Sequence, residues 1–263
     1  MTESPKEIYE GEHVEGFRSE LDAARADSRD AFFGFFNNSI SVDAAFEEGV
    51  WDFTTHIAEP LSSYFPVPAR LDALEIGYGG GRLLSSATRF FGHVQGVDIH
   101  PHKDLVGAEL RERGYEGFEL FQSDGDNLPL PDGSLDVVYS FIVLQHVQYL
   151  KVFQRYLEES ARVLRRGGMA LLYFGRFNRF SVNTTSLLRY MMDLAVEPMV
   201  YRGSFREMEA PVNSTNLQIH PIKAIQMGES AGLKLQRLLV SKRPASGSAL
   251  RFGRQHGILL RKP

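Results

Sequence analysis

The sequence predicts an α/β fold, a doubly wound and mostly parallel seven-stranded sheet with an antiparallel edge strand. Three observations predict it. Short apolar runs alternate with helical patterns between residues 71 and 175, a glycine-rich turn follows the first run, and a helix with two further apolar runs closes the chain.

The elements follow in order. Phe17, Leu21, Ala24, Phe32, Phe33, Phe35 and Phe36 recur at helical spacing within residues 13 to 36. Trp51, Ile57, Leu61 and Phe65 do the same between Asp43 and Phe65. Two or three amphipathic helices are expected, forming a helical N-terminal cap over residues 1–68. Pro66 and Pro68 then restrict the backbone and mark a boundary. The main domain is expected over 69–263. Its first five strands are "LDALEIG" (71 to 77), "HVQGVDI" (93 to 99), "GFELFQS" (117 to 123), "LDVVYSFIVL" (135 to 144) and "MALLYFG" (169 to 175). A helical run from Arg82 to Phe91 follows the glycine turn. Leu150, Phe153, Leu157, Ala161 and Leu164 predict a helix against the sheet, stopped by Gly167 and Gly168. A polar, aromatic stretch of about 177–220 reads as an insertion after strand five. A helix at 221 to 231 and the strands "GLKLQRLLVSKR" and "HGILLRK", joined as a hairpin, supply the antiparallel edge.

Composition narrows the class. With 263 residues, 43% hydrophobic and 24% charged, the chain has the composition of a folded domain and not of a disordered one. A net charge of -4 gives no general attraction to nucleic acid or anionic membrane, although a local basic patch is compatible with it. No cysteine is present, which excludes disulfides, thiolate metal sites and a cysteine nucleophile. The acidic start "MTESPKEIYEGEHVEGF" lacks the features of a secretory signal, and no apolar run reaches the length of a membrane span; a cytoplasmic protein is expected.

The chemistry begins at "LEIGYGGGRLL", residues 74 to 84, where glycines crowd the carboxyl end of the first strand. In open parallel sheets ligands bind there, and glycine lets a ligand approach the main chain closely. Asp98 ends the second strand, 21 positions after Gly77, where nucleotide-binding sheets place an acid for ribose hydroxyls. Gly77, Gly79 and Gly81 alternate, unlike the G-x-G-x-x-G of dinucleotide sites, and no Walker pattern occurs, so phosphate cofactors lose ground.

"LEIGYGGGR", "GVDI", "QSDGDNLPLPDGSLDVVYSFIVLQHV" and "EESARVLRRGGMALLYF" resemble, in order and spacing, the class I S-adenosylmethionine-dependent methyltransferases, over roughly residues 70 to 175. The resemblance implies a Rossmann-like fold, S-adenosylmethionine as cofactor, and Glu75, Gly77, Gly79 and Gly81 beside its amino acid part. It implies Asp98 on the ribose, Ile99 as a wall beside the adenine, and Asp124 and Gly125 at the adenine amine. Tyr78 departs from the small residue more common in the family; it stands either in the cofactor's wall or on the surface where the N-terminal helices close. His146, at the end of strand four, is a candidate base for deprotonating an acceptor, with a helix cap as the plain alternative. Arg176, Tyr201 and His220 in the insertion suit a hydroxylated or anionic acceptor, such as a sugar or glycan end, singly no more than a solvated face. His220 is also a candidate second base or metal ligand, but no metal site is expected. The leading expectation is methylation of a hydroxyl oxygen, with nitrogen or carbon methylation and a catalytically silent binding protein as alternatives. No nucleic-acid partner is expected, and the oligomeric state is open.

Overall fold

The computed structural model describes residues 16–36, 41–125, 127–177, 180–200, 202–244 and 250–263. Three helices open it: α1 (Phe17–Asp27), α2 (Arg29–Phe36) and α3 (Val42–Phe53). The periodic stretch of residues 13 to 36 is thus split at Ser28, an extended residue whose hydroxyl accepts from the Ala31 amide at 3.0 Å and opens α2. Ser41 caps α3 in the same manner, accepting from the Ala44 amide at 3.2 Å. A π-helical turn (Thr54–Ala58) runs on into α4 (Glu59–Ser62), and Pro68–Arg70 forms a short turn before the sheet.

The sheet begins with β1 (Asp72–Ile76), β2 (His93–Asp98), β3 (Phe118–Gln122), β4 (Leu135–Ser140) and β5 (Leu164–Gly175), separated by α5 (Leu84–Ala87), α6 (Lys103–Glu112) and α7 (Leu150–Val163). These five strands lie parallel in the order β3-β2-β1-β4-β5, reversing direction of growth between β1 and β4. Helix α8 (Leu187–Val200), β6 (Phe205–Glu207), β7 (Leu217–Ile219) and α9 (Pro221–Ser230) come next. The hairpin of β8 (Lys234–Pro244) and β9 (Leu250–Arg261) completes the fold, β9 lying antiparallel to β5.

Among the described residues the sheet has nine strands instead of seven, because the insertion contributes its own antiparallel pair, β6 and β7. That pair joins β5 through Gly175 opposite Gln218. Two further expectations are corrected. The helix after the glycine turn spans only Leu84–Ala87, so a long helix dipole does not face the turn. Gly167 and Gly168 do not stop a helix; they lie inside β5, where Gly167 adopts φ +84°.

Strand alternation separates two cores. Leu74, Ile76, Val138 and Leu172 face α7 and α9, packing on Phe153, Leu157 and Met227. Ala73, Val137, Tyr139 and Leu171 face the other way, toward Phe33 and Phe53 of the N-terminal helices and Val106 of α6. Each fully buried Leu or Phe stabilises the fold by about 1.5–3 kcal/mol. The helices are also tied by charge: Arg29 pairs with Glu109 and, at 2.7 Å, with Glu112, and Arg113 reaches Asp43 at 2.8 Å. Among the described residues no helix is long and apolar enough to cross a membrane.

Candidate active site

The carboxyl end of β1 opens into a cavity of about 1060 Å³, counting the space continuous with solvent. Glu75, Gly77, Tyr78 and Gly79 line it from the glycine turn, and Asp98 and Ile99 line it from the end of β2. Gly77 sits at φ +79°, and a Cβ there would lie 2.4 Å from Val143 Cγ2. Only glycine fits, because both its backbone conformation and the space beside it are closed to a side chain.

Asp98 is the electrostatic centre of the turn. It is 8% exposed, and its Oδ2 accepts the Gly79 amide at 2.8 Å while Oδ1 accepts the amides of Ile99 at 2.7 Å and His100 at 3.4 Å. A carboxylate offers about four lone-pair sites, so these three bonds leave one on Oδ2 for a hydroxyl of a bound nucleoside. His100, fully buried, donates from Nε2 to the Gly79 carbonyl at 3.2 Å and thereby fixes the turn from its other side. "HPH", residues 100 to 102, reads in sequence as a turn around Pro101, and nothing local marks this histidine as a support.

Tyr78 is 2% exposed. Its ring stands edge-on to His100 with centroids 5.0 Å apart and belongs to the apolar cluster that includes Phe32 and Phe33. Gly96 makes room for it: a Cβ on that residue would lie 2.9 Å from Tyr78 Cδ1. A glycine in the middle of "VQGVD" is the sequence signal for such a close approach. Tyr78 borders the cavity and packs in the core shared with the N-terminal helices.

Glu75 is 4% exposed and accepts the Tyr139 hydroxyl at 2.9 Å. Burial pushes its carboxyl up to about 8, against the lowering effect of that hydrogen bond. Gly81 is not in the cavity lining; it packs on α6, where a Cβ would lie 3.1 Å from Val106 Cγ1. Asp124 is exposed and Gly125 is buried; both follow Ser123, the residue of this loop that lines the cavity. Helix α7 holds the loop in place, with Glu159 accepting the Leu128 amide at 3.1 Å and Arg162 donating to the carbonyls of Leu128 and Leu130, each at 2.8 Å.

His146 lines the same cavity, in the turns that follow β4 and not at the strand end, because β4 stops at Ser140. Ile142 ends the extended run at φ +61°, a left-handed conformation that costs a β-branched residue roughly 1–3 kcal/mol. The Ser214 carbonyl accepts from His146 Nδ1 at 2.6 Å, which fixes the proton there and leaves Nε2 as an acceptor, bonded by the Gln145 amide at 3.1 Å. Burial lowers the pKa of His146, partly offset by the Ser214 carbonyl. Gln145 is held in turn by Gln255, whose amide donates to its Oε1 at 3.0 Å.

The N-terminal helices close over the turn. Phe17 and Phe36 line the cavity, and a Cβ on Gly79 would lie 2.9 Å from Phe36 Cδ1. Arg82 also lines it, held by Asp52 at 2.6 Å. Sequence reasoning missed these three and Asn213, whose side-chain amide donates to the Phe35 carbonyl at 3.2 Å.

The insertion residues are elsewhere. Arg176 is fully buried, donates to Ser181 Oγ at 2.5 Å, lies 3.9 Å from Asp193 and covers the Tyr190 ring at 5.3 Å. His220 caps α9, its Nδ1 accepting the Ile222 amide at 3.4 Å, and donates from Nε2 to the Leu194 carbonyl at 3.3 Å. Neither lines the cavity, so both are corrected from acceptor-side groups to supports of the insertion. Tyr201, Asn178 and Arg179 lie outside the described residues. Among the described residues no cluster of three or more His, Asp or Glu is arranged to hold a metal.

A doubly wound sheet with an acid-bridged glycine turn at its switch point defines a nucleoside-cofactor domain. Residues 74–172 match the family model described as a methyltransferase domain. It is 36% identical over 104 residues to a probable S-adenosylmethionine-dependent methyltransferase of Mycobacterium tuberculosis, covering 38% of this chain and 34% of the relative. It is 31% identical over 128 residues to a demethylmenaquinone methyltransferase of Tropheryma whipplei, covering 48% of this chain and 52% of that one. The chain thus spans about a third to a half of these curated relatives. A Burkholderia thailandensis 1,6-didemethyltoxoflavin-N1-methyltransferase, solved with its acceptor and S-adenosylhomocysteine, shares the fold at a TM-score of 0.59 and 16% identity, covering 100% of this chain and 92% of that one.

Proposed function

We propose that this chain methylates a hydroxyl oxygen of a small acceptor with an apolar or aromatic body, using S-adenosylmethionine and with His146 as the base. The donor set fits that cofactor: glycine backbone where a Cβ would collide, and one open acceptor site on Asp98. Glu75, Gly77 and Gly79 would border its amino acid part, Asp98 its ribose, and Ile99, Asp124 and Gly125 its adenine. When bound, S-adenosylmethionine supplies an electrophilic methyl group on a positively charged sulfur.

The observation that carries the reading is the placement of His146. Its Nδ1 proton is committed to Ser214, so Nε2 is the atom able to take a proton from an acceptor hydroxyl as the oxygen–methyl bond forms. Gln145 holds that nitrogen and must yield it to the acceptor. Beside the polar groups the cavity is walled by Phe17, Phe36, Phe141, Ile142 and Val143, which supports an apolar body over a sugar. The Tropheryma relative, named for demethylmenaquinone, is in keeping with a ring-bearing acceptor. The helices before β1, within residues 1–68, act in this reading as a cap that excludes water.

The test has two parts. Calorimetry is expected to detect S-adenosylhomocysteine binding, and no heat and no thermal shift would remove the cofactor reading. Turnover is then measured on a panel of phenols, hydroxylated lipids and sugars. Methylation confined to sugars would overturn the acceptor reading, and nitrogen or carbon products formed at full rate by a His146→Ala protein would overturn the base.

A further inference from the structure

Helix α8 is inside out. Along "LLRYMMDLAVEPMV" the residues buried against the body are Tyr190, Asp193 and Glu197, whereas Leu187, Leu188, Met191, Met192 and Met199 are 63%, 72%, 54%, 44% and 78% exposed. The orientation is fixed by polar bonds. Asp193 accepts the amides of Phe180 and Ser181, each at 2.9 Å, and the Ser181 hydroxyl at 2.5 Å. Arg176, behind it, covers the Tyr190 ring. Turning the helix to bury its leucines and methionines would break these bonds and strip Arg176 of its neighbours.

The exposed charge beside this face is mostly positive. Within the helix the acids Asp193 and Glu197 are both buried, while Arg189, Arg202 and Arg206 are exposed, and the exposed acids that follow are Glu207, in β6, and Glu209. An apolar, cationic strip therefore stands on a chain whose net charge is -4. At 14 residues the helix is about 21 Å long, too short to cross a bilayer but suited to lie in its surface. A second copy fits this face poorly, because a twofold contact would bring the two sets of arginines together.

We propose that the outer face of α8, with Arg189, Arg202 and Arg206, docks this protein on an anionic lipid surface. The leucines and methionines enter the acyl boundary, and the arginines meet the headgroups. The site is separate from the cofactor cavity and does not depend on which atom is methylated.

The experiment is co-sedimentation of the full chain with vesicles of equal parts phosphatidylglycerol and phosphatidylcholine, and with pure phosphatidylcholine vesicles. Binding to the mixed vesicles is expected to exceed that to the neutral ones by on the order of tenfold or more, and to fall with added salt. Leu188→Ser combined with Met191→Ser is expected to abolish it while S-adenosylhomocysteine affinity and thermal midpoint stay unchanged; Arg189→Glu is expected to weaken it on the anionic vesicles alone. Absence of binding by the unaltered protein, binding indifferent to lipid charge and salt, or full binding by the double variant overturns the proposal. So does a concentration-dependent dimer that the same double substitution disperses, which would assign the face to a second copy.

Discussion

The amide of Gly79 donates to Oδ2 of Asp98 at 2.8 Å, joining the glycine turn after β1 to the end of β2. The same carboxylate takes up the Ile99 amide at 2.7 Å, so a single buried acid organises both walls of the cavity. Asp98→Ala is expected to leave these amides without acceptors, at roughly 1–3 kcal/mol for each buried group left unmade. Asp98→Asn restores an acceptor at one oxygen only. We expect both variants to melt earlier than the parent and to lose S-adenosylhomocysteine binding, the alanine more severely, in paired thermal-shift and calorimetric measurements. A variant that melts normally and binds normally would show that the turn does not depend on this acid.

His146 offers a pH signature. Burial lowers its pKa, so imidazole is the neutral form across the neutral range and needs no shift to act as a base. The acid limb of kcat/KM is expected to fall below the ordinary histidine value of 6.5, with a plateau above it. His146→Ala is expected to lose about 10²- to 10⁴-fold in turnover with little change in cofactor affinity. Gln145→Ala, which frees Nε2, is expected to move the limb, whereas a residue of merely structural importance would lower stability and leave the limb in place.

Much of this arrangement was legible in the sequence, and the limits are physical. Strand alternation and "LEIGYGGGR" are local signals, and they located β1 to β5, the turn and Asp98. Gly96, inside β2, leaves room for Tyr78, but a lone glycine in a strand does not say which side chain will press on it. The role of Arg176 was not legible, because an arginine's burial is decided by partners such as Asp193 and Tyr190 on a later helix. Phe17 and Phe36 reach the cavity only through the docking of α1 and α2, which periodicity cannot orient. Helix α8 makes the same point most plainly: helical spacing tells which residues share a face, and tertiary contacts alone decide which face is buried.

Arg176 provides the test of that correction. As an acceptor-binding residue its loss would raise KM and spare stability. As a buried counter-charge to Asp193, its replacement by methionine leaves that buried carboxylate without it, a change that typically costs about 3–5 kcal/mol. We expect Arg176→Met to lower the urea midpoint strongly, while any folded fraction retains its affinity for S-adenosylhomocysteine. An unaltered midpoint with a raised KM would return Arg176 to the acceptor side.

Glu75 makes stability depend on pH in an unusual direction for a carboxyl. Burial raises its pKa from 4.5 to about 8, so between those values the folded protein keeps a proton that the unfolded chain has lost. The unfolded state binds fewer protons there, and stability must fall as pH rises across the window, with no penalty below it and a full one above. The size follows from a shift of several units, on the order of a few kcal/mol. In cofactor-free protein the thermal midpoint is therefore expected to drop between about pH 5 and pH 8. Glu75→Gln keeps an oxygen for the Tyr139 hydroxyl and removes the titration, so its midpoint is expected to stay flatter and to overtake the parent at the alkaline end. Parallel pH curves for the two proteins would mean that Glu75 is ionised in the fold at neutral pH, and that water reaches it through the cavity.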